Sequence, residues 1–75
     1  MIADDHPVVR EGLKQMLQAE PGMEVSAEAS SGEEALAGVS QLSPDVVLMD
    51  IRMPGIGGIE AARRISQISP RVKVI

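Results

Sequence analysis

Residues 46–55 read VVLMDIRMPG, an uninterrupted apolar run that ends at Asp50 and passes directly into a turn-forming segment. Four consecutive apolar residues without alternation are typical of a strand buried on both faces, as in a parallel sheet covered by helices. In such sheets the ligand site lies in the loops beyond the carboxyl ends of the strands. The stretch therefore predicts an α/β fold with Asp50 at the functional edge of the sheet.

A second group of acids lies near the start of the chain, where Asp4 and Asp5 directly follow the apolar residues 1–3. Because the carboxyl ends of parallel strands meet at one edge, these acids and Asp50 are expected in a single crevice. Clustered carboxylates repel one another, so the crevice calls for a cation, and a hard divalent ion with oxygen ligands fits best. One carboxylate would also be placed to act as a nucleophile.

Each of these residues also has a plain structural interpretation. An Asp-Asp pair before a helix is more often a cap with a solvated neighbour, and an Asp after a strand can simply start a turn. A functional role for these acids is favoured by three features together, namely the buried run before Asp50, the turn after it and the acidic pair. A lone histidine before a proline is typical of a cap or a surface residue, so His6 is given no role.

Three strand-then-helix units follow one another, and a fourth strand begins at Val72. Pro7 suits the first turn of a helix, with Asp5 or His6 as its cap. The predicted inner face of that helix consists of apolar residues at helical spacing, Val9, Leu13, Met16 and Leu17. Residues 23–29 then alternate apolar with polar side chains, which indicates a strand at the edge of a sheet.

The second and third helices have signals of their own. Residues 31–34 have the spacing of a capping box. The predicted inner stripe of the second helix is Leu36, Val39 and Leu42. For the third helix, which follows a turn-rich loop, the predicted inner face is Ile59, Ala62, Ile65 and Ile68. Alternating strands and helices imply parallel strands joined by right-handed crossovers.

Composition limits the possible functions. The 75 residues have a formal net charge of −4 and contain no cysteine and no aromatic residue. Scattered basic residues predict poor nucleic-acid binding by this segment, and no aromatic ring is available to stack on a base. No apolar run approaches the roughly 20 residues that cross a bilayer, and the acidic start does not suit a signal peptide. A soluble, cytoplasmic protein without a membrane partner is expected.

The two ends of the sequence predict a piece of a larger domain. Only residues 1–3 precede the first acidic tip, whereas a strand usually has about five or six residues. The sequence also stops inside the apolar strand that starts at Val72. Such a fragment is expected to expose a strand edge and an apolar sheet face, and therefore to self-associate.

Residues 2–13 (IADDHPVVREGL), together with residues 46–54 and 58–61, resemble the receiver domain of bacterial two-component response regulators. The first motif is most similar to the branch whose receivers precede a LuxR-type helix-turn-helix domain. The resemblance covers essentially the whole chain and implies one partial receiver domain, residues 1–75. The implied fold is flavodoxin-like (CheY-like), with helices on both faces of a parallel sheet, incomplete as βαβαβαβ with strand order 2-1-3-4.

The resemblance also implies roles for individual residues. Asp50 becomes the phosphoacceptor for a sensor histidine kinase. Asp5 and Asp50 become direct Mg²⁺ ligands, and Asp4 reaches the ion through water. The backbone carbonyl of Arg52 completes the metal shell. Three further residues shape the loop after Asp50, namely Pro54, Gly55 and Gly58. DNA would be bound only through a C-terminal domain outside this sequence, so the implied function is phosphorelay control of transcription.

Some family features are not among these residues: a Ser or Thr at the tip of the fourth strand, a Lys after a fifth strand, and two more helices. The hydroxyl senses the phosphoryl group and the lysine pairs with it, so the alternative is a non-phosphorylated protein-interaction module. A haloacid-dehalogenase-type phosphatase also uses a strand-tip Asp with Mg²⁺. It needs a second acid two residues later, where this chain has Arg52. The expected protein is not itself an enzyme.

Overall fold

The computed structural model describes residues 1–75 as four strands and three helices in strict alternation. In chain order they are β1 (Ile2–Ala3), α1 (Pro7–Gln18), β2 (Glu28–Ala29), α2 (Gly32–Leu42), β3 (Val46–Met49), α3 (Gly57–Ile68) and β4 (Lys73–Val74). The predicted βαβαβαβ order is confirmed. No helix has the length and apolar character needed to traverse a bilayer.

The strands form a parallel sheet in the order β2-β1-β3-β4, as predicted. Ile2 of β1 lies opposite Glu28 on one side and Leu48 on the other. The chain therefore runs outward from β1 to β2, crosses back to β3 and continues to β4. A reversal of this kind opens a crevice at the carboxyl ends of the two central strands.

One face of the sheet packs against α2 and α3 and holds the core. Ala3 and Val47 of the strands belong to one apolar cluster with Ala35, Val39 and Ile65 of the helices, and all five are at most 1% exposed. Burying a side chain such as Val39 or Ile65 contributes about 1.5–3 kcal/mol. This layer fixes the position of β3 and hence of the residue that follows it.

The other face of the sheet is covered by α1, which has no fully buried residue. Leu48 of β3 and Leu13 of α1 are only half-buried and line a shallow cavity of about 170 Å³. The prediction that this strand is buried on both faces is therefore wrong on the α1 side, although Val47 is fully covered. For the same reason, the predicted α1 core residues Val9 and Met16 are 48% and 69% exposed.

Charged groups provide part of the attachment of α1. The Nη1 of Arg10 donates to the backbone oxygen of Asp4 at 2.7 Å, and its Nε donates to Glu28 at 3.2 Å. The Nζ of Lys14 lies 3.4 Å from the same Glu28 carboxylate. These contacts link α1 to both β1 and β2.

α3 turns a different face toward the core from the predicted one. Ile65 is buried as expected, but Ile59 and Ile68 are 72% and 55% exposed. Gly58 and Ala61 take the inward positions instead. Gly58 faces inward because the start of α3 passes close to the backbone at the end of β3, and Ala61 faces inward beside Gly32 at the start of α2. Neither position leaves room for an isoleucine.

The edge strand is shorter than predicted, since only Glu28–Ala29 joins the ladder from the predicted segment 23–29. The extended chain before it still accepts a hydrogen bond at the oxygen of Ala27 from the nitrogen of Ile2, at 3.1 Å. Val25 and Ala27 are half-buried while the polar residues between them are exposed. The alternation and the edge position were therefore predicted correctly.

The start of α2 forms half of the predicted capping box. The Oγ of Ser31 accepts from the nitrogen of Glu34 at 3.1 Å. The Glu34 carboxylate accepts from the Ser30 hydroxyl at 2.7 Å rather than from the Ser31 backbone, and bonds from Ser30 lower the pKa of Glu34. Of the predicted inner stripe, Val39 is buried, but Leu42 is 52% exposed because it lies in the last turn.

Candidate functional site

The carboxyl ends of β1 and β3 bring four side chains to one edge of the sheet, those of Asp4, Asp5, His6 and Asp50. One oxygen or nitrogen atom from each lies within 4.8 Å of the others. The register produces this grouping, because Ala3 pairs with Met49 and the residues that follow leave the sheet at the same edge. The three carboxylates are therefore together, as the sequence predicts.

Asp4 is a buried carboxylate, only 8% exposed. Its Oδ1 accepts a hydrogen bond from the nitrogen of His6 at 2.8 Å and lies 3.0 Å from the Nδ1 of the same residue. Burial by itself would raise the pKa of Asp4. The hydrogen bonds from His6 and the charges of His6 and Arg10 together hold that pKa below its usual value. Asp4 is thus kept ionised by its neighbours.

Asp5 has an oxygen without a hydrogen-bond partner. Its Oδ1 is buried and lies 3.1 Å from the Nδ1 of His6, outside hydrogen-bonding geometry. A buried carboxylate oxygen without a donor is unfavourable, and such atoms are rare unless an ion or water satisfies them. Oxygen ligands from adjacent carboxylates are what a hard divalent cation prefers. The donor set therefore fits the Mg²⁺ that the sequence implies.

Asp50 lies at the tip of β3 with 28% of its side chain exposed. Its Oδ1 accepts a hydrogen bond from the nitrogen of Arg52 at 3.3 Å, and its Oδ2 faces the cluster, 3.8 Å from the Nδ1 of His6. The Asp50 nitrogen donates to the oxygen of Ala3 at 2.9 Å, which joins the two strand tips directly. One carboxylate oxygen is held by the turn, and the other is open to a ligand.

The loop after Asp50 is fixed by a residue of α2. The Glu33 carboxylate accepts from the nitrogen of Ile56 at 3.2 Å. Gly55 adopts a left-handed conformation, φ 76, and a Cβ there would overlap the same carboxylate. Glycine is suited to this position because it has no side chain and adopts positive φ freely. Pro54 is exposed beside it.

Gly58 allows α3 to begin in direct contact with the backbone of Asp50, the candidate phosphoacceptor. A Cβ at Gly58 would overlap the backbone oxygen of Asp50 and lie 2.8 Å from its carbonyl carbon and 2.9 Å from the Cα of Ile51. The nitrogen of Gly58 donates to the oxygen of Ile51 at 3.0 Å. The position of Asp50 therefore depends on the absence of a side chain at Gly58.

His6 is the member of the site that sequence reasoning left without a role. Its backbone is the N-cap of α1, but its side chain makes no capping hydrogen bond and points instead to the carboxylates. The hydrogen bond to Asp4 and the charge of Asp5 raise the pKa of His6. The sequence signal that could have identified it is its position, because a residue that directly follows two acids at a strand tip lies at the same edge of the sheet.

A surface cavity of about 460 Å³ lies away from this cluster. It is lined by the loops at residues 43–45 and 69–72, which lead into the amino ends of β3 and β4. The site is thus distinguished by its chemistry and not by cavity size.

The chain matches the family model described as response regulator receiver domain over residues 1–75. It is 48% identical to the response regulator GacA of Pseudomonas viridiflava and 45% identical to the response regulator UvrY of Escherichia coli, each over 75 residues. The whole chain takes part in both matches, which cover 35% and 34% of those proteins. The chain thus spans about a third of the length of these curated relatives.

Solved structures agree with the sequence relatives. A LuxR-family two-component response regulator from Aurantimonas is 43% identical, with a TM-score of 0.93 over 99% of this chain and 53% of that one. The response regulator TrrA of Thermotoga maritima, solved in complex with Mg(2+)-BeF, is 42% identical, with a TM-score of 0.89 over 97% of this chain and 62% of that one. The chain belongs to the response regulator receiver domain family.

Proposed function

We propose that the chain is a phosphoacceptor receiver in which Asp50 takes a phosphoryl group from a sensor histidine kinase in the cytoplasm. The signal would pass to a DNA-binding domain outside these 75 residues and so regulate transcription. The observation that carries the proposal is the open Oδ2 of Asp50, which faces Asp4 and the unpartnered oxygen of Asp5. The similarity to response regulators, including LuxR-family members, supports it.

Four residues would hold the metal in this proposal. Asp5 and Asp50 would bind Mg²⁺ directly, Asp4 would reach it through water, and Arg52 would contribute its backbone carbonyl. Mg²⁺ bound there would neutralise the charge on the transferred phosphoryl oxygens. The Mg(2+)-BeF complex of the Thermotoga relative supports this part of the proposal.

Asp50 would act as the nucleophile. Its Oδ1 is held by the nitrogen of Arg52, which leaves Oδ2 to form the new bond to phosphorus. The phosphorus–nitrogen bond of the kinase phosphohistidine would break, and its electron pair would return to the imidazole. The product is an acyl phosphate with a charge of about −1.5 to −2 at neutral pH. It replaces the single negative charge of the Asp50 carboxylate, and the change in charge and in hydrogen-bonding oxygens is the switch.

The proposal also includes that the protein acts in signalling and does not turn over a substrate as an enzyme does. A haloacid-dehalogenase-type mechanism needs an acid two residues after the nucleophile, and Arg52 there is an exposed cation. The phosphoryl group would therefore remain on Asp50 as a signal. The alternative, a non-phosphorylated interaction module, predicts that Asp50 can be replaced without effect on signalling.

The test is phosphorylation of the intact protein that carries this chain, with acetyl phosphate and Mg²⁺ and with intact mass as the readout. Asp50→Asn should abolish the gain of one phosphoryl group. Asp45→Asn is the matched control, because Asp45 is exposed at the opposite end of the same strand. Phosphoryl uptake that survives Asp50→Asn would refute the assignment. Residues 1–75 alone should retain little phosphoryl group, because the family's sensing hydroxyl and lysine are not among them.

A further inference from the structure

The loop between β3 and α3, residues 50–56, is attached at its far end to the start of α2. The nitrogen of Ile56 donates to the Glu33 carboxylate at 3.2 Å, although the two residues are 23 positions apart in the chain. Gly55 packs so closely against the same carboxylate that a Cβ there would overlap it. A Cβ at Gly32 would lie only 2.6 Å from the Cγ1 of Ile56. Two consecutive residues of α2 therefore hold the end of this loop.

The same loop carries the groups that the proposed function assigns to the metal. At its start, Asp50 Oδ1 accepts from the nitrogen of Arg52 at 3.3 Å. In its middle, Met53 is buried in the core cluster, whereas Arg52 is exposed. Glu33 makes the only side-chain hydrogen bond that reaches the loop from another part of the chain. The backbone around Arg52 is thus held by Asp50 on one side and by Glu33 on the other.

We propose that Glu33 is a positioning residue for this metal site, because its bond to Ile56 holds the loop with the Arg52 carbonyl ready to bind the cation. A loop that is ordered before binding does not lose that conformational freedom when the ion binds. Partners that orient metal ligands typically contribute about 10- to 100-fold to metal affinity. Glu33 is not a member of the acidic cluster at the strand tips, so it acts through the loop. This inference rests on the metal site of the proposed function.

Glu34 provides a matched control, because it is the next residue and has the same charge. Both glutamates are exposed and lie in the first turn of α2, so replacing either one removes a favourable charge from the start of the helix. The Glu34 carboxylate accepts from the Ser30 hydroxyl at 2.7 Å and makes no hydrogen bond to the loop. A difference between the two positions therefore reports the loop contact and not the stability of α2.

The test is Mg²⁺ calorimetry of the intact protein that carries this chain, with initial rates of phosphorylation by acetyl phosphate at a series of Mg²⁺ concentrations. Glu33→Ala should weaken Mg²⁺ binding by about 10-fold and raise the half-saturating Mg²⁺ concentration by the same factor. Its rate at saturating Mg²⁺ should approach that of the wild type. Glu33→Gln keeps an oxygen that accepts from Ile56 and should bind Mg²⁺ within about threefold of the wild type. Glu34→Ala should leave the affinity nearly unchanged.

Three results would overturn the role of Glu33. The first is an unchanged Mg²⁺ affinity in Glu33→Ala. The second is an equal loss in Glu33→Gln, which would indicate an effect of charge, and the third is an equal loss in Glu34→Ala, which would indicate an effect on α2. A wild-type protein that binds no Mg²⁺, or phosphorylation that survives Asp50→Asn, would instead overturn the proposed function, so the two failures are distinguishable.

Discussion

Replacing Gly58 with alanine should destabilise the protein, although alanine is the better helix former. In an open helix this change stabilises by about 0.5–1 kcal/mol. Here the new Cβ would lie 2.8 Å from the carbonyl carbon of Asp50 and 2.9 Å from the Cα of Ile51, whereas carbon atoms pack at about 3.5–4.0 Å. The backbone oxygen of Asp50 would be closer still, so the helix and the strand end would have to separate by at least about 1 Å. Overpacking of this kind costs about 1–3 kcal/mol. Because the clashing atoms belong to the backbone, we expect about 2–3 kcal/mol here, which leaves a net loss of about 1–2 kcal/mol after the gain of about 1 kcal/mol in helix propensity.

The assay is urea unfolding followed by circular dichroism, with Gly12→Ala as the matched control. Nothing lies within 4 Å of a Cβ placed at Gly12 in α1, so alanine there should stabilise by about 0.5–1 kcal/mol. With a slope of about 1 kcal/mol/M for a small domain, Gly58→Ala should lower the midpoint by about 1–2 M. Divalent-ion binding should weaken as well, since Asp50 is displaced. A Gly58→Ala protein as stable as Gly12→Ala would refute this account of the contact between α3 and Asp50.

Three further predictions concern stability, pH and association. Ile65→Ala should cost about 2–5 kcal/mol, because the side chain is fully buried and the cavity it leaves cannot collapse completely; a smaller change in urea unfolding would contradict the packing described. In metal-free buffer, the pKa of Asp4 is lowered and that of His6 is raised. The Asp4 contribution to stability is therefore present above about pH 3.9, and the His6 contribution is lost as pH rises through a value above about 6.5. The unfolding midpoint should be highest between these two pH values. In His6→Asn the midpoint should no longer fall at the upper pH limit. Residues 1–75 should self-associate through the edge of β4 or the α1-side face, and Ile75→Lys, at a residue 74% exposed, should reduce light scattering; a monomeric wild-type chain would exclude this.

The sheet and its acidic edge were predictable from sequence because both depend on short-range patterns. The run before Asp50 contains no polar residue, and the alternation around Ala27 marks an edge strand; the strand order itself was implied by the resemblance to receiver domains. Strand tips in a parallel sheet share an edge, and this rule alone is enough to group Asp4 and Asp5 with Asp50. The roles of these residues in phosphorylation and metal binding stay predictions.

Helix faces were less predictable because hydrophobicity does not report available volume. Ile59 is more apolar than Ala61, yet Ala61 faces inward, where α2 comes so close that a Cβ at Gly32 would lie 3.3 Å from the Cβ of Ala61. The prediction that β3 is buried on both faces is wrong at Leu48. Burial on both faces requires enough helices to cover each face, and the sequence of one strand does not indicate how many helices cover it. The contact of His6 with the carboxylates was not predicted, because its interpretation as a helix cap accounted for the residue without assigning a role to its imidazole ring.

The two faces of the sheet respond to different physical variables. The face with α2 and α3 is held by fully buried aliphatic side chains. α1 has no fully buried residue, and part of its attachment comes from the contacts of Arg10 with Asp4 and Glu28 and of Lys14 with Glu28. Dissolved salt screens partly exposed charges and leaves aliphatic packing in place. Raising the ionic strength should therefore loosen α1 first, with faster amide hydrogen exchange there than in α2 or α3. Arg10 of α1 donates a hydrogen bond to the backbone of Asp4. Loosening of α1 at high ionic strength should therefore also change the position of Asp4 in the acidic site.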